Sequence, residues 1–361
     1  MSLGTRSLLV ASVASLLALA EPARAQHEDH DMVPPPGAAE TYPSLHIRGF
    51  SDFEFTASDD PGPVSGFQLG QFVLHFVSPL SKKVTYYGEV SATPKTSQFA
   101  IEVERSFIRY DYNDAFKVSF GRYHTPIGYW NTAYHHGLWL QTTVRRPVQV
   151  EFGGVFVPVH FVGLLAEGRL PSGPIGLAYA AGVGNGRSEI LSRAGDAGDP
   201  NPNRAWLAQI VARPGQLEAL EVGASVYRDQ LSPLAGPTIG EWIVSGHAVW
   251  TGESPELLGE VIVVRHEGAP SGTDFDSRAF YVQAAYRLPG KAHPLKPYAR
   301  YEKRDVAAGE PVFTFPDLQV VTAGVRFDVV ELAAFKAEYR NELADGSGRV
   351  NALLFQTSFT F

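Results

Sequence analysis

The residues best equipped for chemistry lie in one stretch, residues 120–163, which gathers His124, His135, His136, Arg122, Arg145, Arg146, Trp130 and Trp139. Imidazole suits zinc or copper, so His135 and His136 with His124 are candidate metal ligands. Adjacent histidines diverge in a strand, and only a loop would let both reach one ion. Hydrogen bonding inside a packed loop is the plainer role for the same side chains. A second group, His27 and His30 among Glu28, Asp29 and Asp31, could also catch a transition metal or be a solvated tail. No metal ligand set is assigned on this basis. Motifs of nucleophilic hydrolases, zincins, P-loops and paired-cysteine sites are absent, so no catalytic residue, enzyme activity or cofactor is expected.

Bulk properties narrow the class. The 361 residues contain no cysteine, which excludes disulfides and thiolate metal sites. The net charge of −8 is spread along the chain without a basic run, which argues against a nucleic-acid partner. Residues 1–25 read as an export signal: Arg6, an apolar run over 8–20, then Ala23-Arg24-Ala25, with cleavage expected after Ala25. Later segments never reach the length of an apolar membrane-spanning helix, so a membrane protein of this sequence must cross as strands. Residues 26–44 contain Pro34-Pro35-Pro36 and read as a flexible periplasmic lead-in.

From residue 45 to 361 the chain alternates. Strands are expected over 45–57, 65–76, 82–92, 98–110, 115–122, 159–170, 175–184, 204–213, 220–229, 240–251, 257–267, 277–288, 296–304, 318–328, 332–342 and 350–361. Segment 257–267 alternates poorly, and 332–343 could be drawn as a helix. The connections sort by parity. One set is short and rich in Pro, Gly, Asn, Asp and Ser; the other includes the long ones, at 124–158, 185–203, 230–239, 268–276, 305–317 and 344–349. The fold expected is all-β: a transmembrane antiparallel up-and-down barrel of about sixteen strands with a long third extracellular loop.

One face of these strands is apolar and should meet lipid. The other carries charge, including Glu89, Glu102, Glu104, Arg287, Arg300, Arg304, Arg326, Lys336, Glu338 and Arg340, and should line a water-filled lumen. The last strand puts Leu353, Phe355, Thr357, Phe359 and Phe361 on one face, and is expected to pair with 45–57.

The leader, the strand pattern, the long third loop and the terminal Phe together resemble the general and phosphate-selective porins of Gram-negative bacteria. Gly121-Arg122-Tyr123-His124-Thr125-Pro126-Ile127-Gly128 is similar to a G-R-(F/Y)-x-x-P-x-G segment of the phosphate-selective type. A ladder of Arg and Lys is missing, so phosphate selectivity does not carry over. The resemblance implies an outer-membrane location, lipid contact, possible trimers, and an assembly signal at Phe359 and Phe361 read by the barrel-assembly machinery. It also implies a third loop that enters the barrel as a constriction, where Arg122, His124, Trp130, His135, His136, Trp139, Arg145 and Arg146 would act. The function expected is passive diffusion of small hydrophilic solutes or ions. Alternatives are a channel for metal ions or chelates and a plugged structural or adhesive barrel.

Overall fold

The computed structural model describes residues 41–361 apart from 61, 63, 64, 153–155 and 269–271. The signal segment, His27 and His30 lie outside the described residues. Sixteen strands follow in order: β1 (His46–Ser58), β2 (Gly66–Ser81), β3 (Val84–Pro94), β4 (Phe99–Asn113), β5 (Phe116–His124), β6 (His160–Arg169), β7 (Leu177–Gly184), β8 (Ala205–Ala212), β9 (Leu220–Leu231), β10 (Ile239–Trp250), β11 (Glu256–Glu267), β12 (Phe275–Ala285), β13 (Leu295–Asp305), β14 (Leu318–Val330), β15 (Ala333–Ala344) and β16 (Arg349–Thr360). Each pairs antiparallel with its neighbour in sequence, and β1 pairs with β16 to close the barrel.

The seam shows why the sheet closes in this register. Phe50 lies opposite Thr360 and Ser58 opposite Ala352, and beyond the last strand Phe361 and Gly49 exchange backbone hydrogen bonds of 3.0 and 2.8 Å. Leu353, Phe355 and Phe361 are exposed on the outer face, while Leu354, Gln356 and Ser358 are buried on the inner one. A slip by one residue would turn the phenyl rings inward and Gln356 onto the apolar outer face. Phe53 stacks on Phe359, and Phe55 meets both Phe67 and Phe355, so the outer seam is a band of aromatic rings. In the short connection between β2 and β3 the strand runs on through Pro79 and Leu80 to Ser81, so the turn is Lys82-Lys83. Proline is accommodated there because it sits near a strand end beside a register shift.

Segment 332–343 is strand β15, and β11 alternates without a break in exposure. The sequence of β11 hides this because its inner face mixes Glu256, Glu260 and His266 with buried Leu258, Ile262 and Val264. Those apolar side chains have partners inside the barrel. Leu207, Tyr227, Ile243 and Ile262 from the wall pack on Ile127, Phe156 and Val157 of the third loop and on Phe313 of the connection between β13 and β14. A second cluster joins wall residues Val249, Leu258 and Tyr281 to Tyr129, Trp130, Tyr134 and Val150. Burying each aliphatic or phenyl side chain contributes about 1.5–3 kcal/mol, enough to hold an irregular segment in place. The interior across β8–β12 is thus a packed core, in place of the water-filled lumen expected from the charged positions.

Candidate functional site: the inserted third loop

The third loop, residues 125–152 and 156–159, turns into the barrel. Its neck is tied by Asn131, whose Nδ2 donates to the carbonyls of Thr125 and Val159 at 2.8 and 3.1 Å. A single helical turn, Trp130–Ala133, follows Gly128. The backbone amides of Tyr129 and Trp130 both donate to Glu260 Oε2 on β11, at 3.0 and 3.1 Å. Gly128 has φ +69°, and a Cβ there would stand 1.9 Å from Glu260 Oε1, so this approach requires glycine.

A loop without regular structure leaves its backbone groups unpaired, and burial of those groups demands partners. The wall supplies them by charge. Carboxylates take amides: Val144 N donates to Glu338 Oε2 at 2.8 Å, and Val148 N to Glu302 Oε2 at 2.8 Å. Cations take carbonyls: Arg326 Nη1 donates to Trp139 O at 2.6 Å and Gln141 O at 3.1 Å, Lys336 Nζ to Thr143 O at 3.1 Å, and Arg300 Nη2 to Arg146 O at 3.2 Å. Arg300, Arg326, Lys336 and Glu338 therefore grip the loop, a role that strand periodicity did not reveal.

The remaining charged positions are mostly paired along the wall. Arg287 meets Glu253 at 2.8 Å and Asp328 at 2.5 Å, Arg340 bonds Glu342, and Glu102 pairs with Arg193 at 2.9 Å. Arg304 lies over the Phe315 ring, 4.0 Å from its centroid. Glu89 bonds Arg105, a residue that the sequence reading missed. A register shift between β3 and β4 beside Glu89 breaks the alternation that would have identified it.

The loop residues divide sharply. Trp130 is fully buried, and Trp139 faces Arg326 with 5.7 Å from ring centroid to guanidinium carbon. Arg145 is 44% exposed and pairs with Glu54 at 2.5 Å. Arg146 is buried, with its guanidinium 3.7 Å from the Phe152 centroid, so it offers no free charge to a pore. Burial pushes Arg146 down to about 9, against the opposing pull of Glu151 and Glu104. Arg122 turns to Asp196 and to the Glu104 carbonyl, the latter at 3.1 Å. His124, His135 and His136 converge on one place with His160: the His124 and His135 rings stack 3.6 Å apart, and His135 lies 4.7 Å from His160.

Beside the loop, a cavity of about 490 Å³ runs along the inner wall of β4–β8. Arg105, Lys117, Arg169 and Arg213 border it with Asp114 and Glu167, and Pro126 and Thr132 form its loop side. Its charge is moderately positive and its walls are largely polar.

The fold is that of outer-membrane porin-like barrels. The outer membrane channel DcaP of Acinetobacter baumannii superimposes with a TM-score of 0.61 at 12% identity, over 90% of this chain and 99% of that one. Salmonella typhi OmpF, solved with daunomycin, gives 0.62 at 12% identity over 88% and 97%. The trimer form of OmpT, an outer membrane protein of Vibrio cholerae, gives 0.59 at 14% identity over 89% and 100%. No protein-family model matches the sequence, and no curated protein matches it.

Proposed function

We propose that this chain is a channel of the Gram-negative outer membrane, exported with removal of residues 1–25, through which small hydrophilic solutes or ions diffuse passively. The observation that carries the reading is the third loop fixed inside the barrel beside a polar cavity. In this reading the third loop is the constriction, and the cavity along β4–β8 is the path. Four basic side chains against two acidic ones there favour anions weakly. The outward aromatic band contacts lipid, the closing strand with Phe359 and Phe361 addresses the barrel-assembly machinery, and a homotrimer is the assembly.

The burial of Glu302, Lys336 and Glu338 under the loop supports a second reading, a plugged structural barrel. Planar bilayers separate the two. Stepwise conductance from the purified protein supports the channel, and persistently silent membranes with correctly folded protein support the plug.

A further inference from the structure

The channel reading leaves one cluster unused. His124 ends β5 and His160 opens β6, directly opposite each other in register. Over them the loop brings His135 and His136, and β4 contributes Glu104. All five are well shielded from solvent; His135, His136 and Glu104 are 3%, 4% and 4% exposed.

The hydrogen bonds fix which ring nitrogens face the cluster. Asn131 uses its Nδ2 on two carbonyls, so its Oδ1 must accept from His135 Nδ1 at 3.0 Å. Gln71 donates its Nε2 to Thr93, so its Oε1 accepts from His136 Nδ1 at 3.2 Å. With the proton on Nδ1, each Nε2 carries a lone pair, and both Nε2 atoms are buried without a hydrogen-bond partner. His136 Nε2 stands 3.3 Å from Glu104 Oε1, and His160 Nε2 stands 2.9 Å from Glu104 Oε2. In the neutral tautomer, the His136 lone pair and a carboxylate oxygen are 3.3 Å apart with no hydrogen to join them. A cation placed there converts that repulsion into two bonds.

The donor set and its spacing match such an ion. The ligand atoms of Glu104, His135 and His136 all lie within 4.8 Å of one another, as do those of His124, His135 and His160. A tetrahedral ion with ligands at about 2.0–2.2 Å sets them about 3.3–3.6 Å apart, so closing the site asks for small side-chain movements. The carboxamides behind His135 and His136, and Ser91 donating to Glu104 Oε1 at 2.6 Å, are the outer partners that orient ligands at metal sites.

We propose that His135, His136 and Glu104, completed by His160 or His124, form a buried site for one divalent transition-metal ion of the zinc, nickel or copper(II) class. Imidazole with a single carboxylate and no thiolate selects that class over calcium and magnesium. The ion would fasten the loop to β4 and β6, whether or not the barrel conducts.

The test uses the full chain, refolded in detergent, stripped with a chelator and titrated with zinc chloride by calorimetry. About one zinc per chain is expected, with affinity falling about 100-fold or more in the variant carrying His135→Ala and His136→Ala. Heat-dependent gel migration reports that the barrel is intact. A variant carrying His27→Ala and His30→Ala should keep the site; loss of zinc there overturns the proposal, as does unchanged affinity in the first variant. If the first variant does not fold, cobalt(II) bound to the unaltered chain decides. Intense visible bands of a tetrahedral nitrogen-containing site support the proposal, and the weak spectrum of a hydrated ion overturns it. That outcome would leave a proton on His136 as what sits between the ring and Glu104.

Discussion

Glu338 is the most informative single position for the seating of the loop. Its Oε2 accepts from Val144 N at 2.8 Å and from the Tyr298 hydroxyl at 2.9 Å, while Oε1 receives a weaker approach from Arg145 N at 3.4 Å. The Tyr298 bond lies within the wall, so Glu338→Ala removes from the loop one good bond to a charged acceptor, worth about 1.5–3 kcal/mol when buried, and one weak one. A net loss of about 2 kcal/mol is expected for the seated loop. At about 1.4 kcal/mol per decade, the released-to-seated ratio of the loop tip rises about 30-fold. Hydrogen exchange of the peptide spanning 138–148 should speed up by that factor, because exchange follows the open population. The peptide spanning 127–131, held by Glu260, should keep its protection. Glu338→Gln keeps one carbonyl acceptor and should give a much smaller effect. In bilayers the alanine variant should open to larger or noisier steps. Unchanged exchange at 138–148 in a correctly folded barrel would refute the idea that wall charges hold the loop.

Other expectations follow from the same geometry. Gly128→Ala pushes a methyl into Glu260 and should release the 127–131 amides, seen as their faster exchange. Deleting Phe361 removes two backbone bonds at the seam and should lower the yield of heat-resistant folded barrel, with conductance of the surviving fraction unchanged. Reversing two cavity charges, Lys117→Glu with Arg169→Glu, should move the reversal potential in a salt gradient toward cation preference; no movement would remove this cavity as the path. Glu253 lies in the turn before β11. Burial raises its pKa, but Lys296 and Arg287 more than offset that and hold it below the ordinary 4.5. Its folded value is depressed, so its contribution is present above about 4.5 and fades as pH falls through the lower folded value. The melting difference between the unaltered chain and Glu253→Gln should therefore shrink as pH drops below 4.5.

Strand number, pairing and seam were legible because an apolar outer face and a charged inner one impose a period of two, which survives in β3, β15 and β16. It blurred in β11, where Leu258, Ile262 and Val264 face inward against the loop. A wall that packs on protein needs no polar face, so its sequence loses the contrast that marks a strand. The importance of residues 120–163 was legible from length and composition. The grip of Arg300, Arg326 and Lys336 on loop carbonyls was not, because no pattern in a sequence states which backbone group a side chain will reach across a lumen. The fate of Arg146 was hidden for the same reason: only the position of Phe152 tells a buried guanidinium from a free one.

The seam between β1 and β16 also sets an order of events. It joins residues 310 positions apart in sequence, Phe50 and Thr360, so it is the slowest pairing to find and cannot form until the last strand arrives. The loop, meanwhile, holds on to the wall from Gln71 on β2 to Glu338 on β15, nearly all the way round. Threading it into a finished barrel would mean passing buried Trp130 and Tyr134 through an opening narrowed by the connection between β13 and β14. The economical route is for the open sheet to curl around the loop and zip shut last, with the loop acting as a former on which the wall takes its curvature. An unfinished barrel would then be recognisable by two bare edges and a loop already protected.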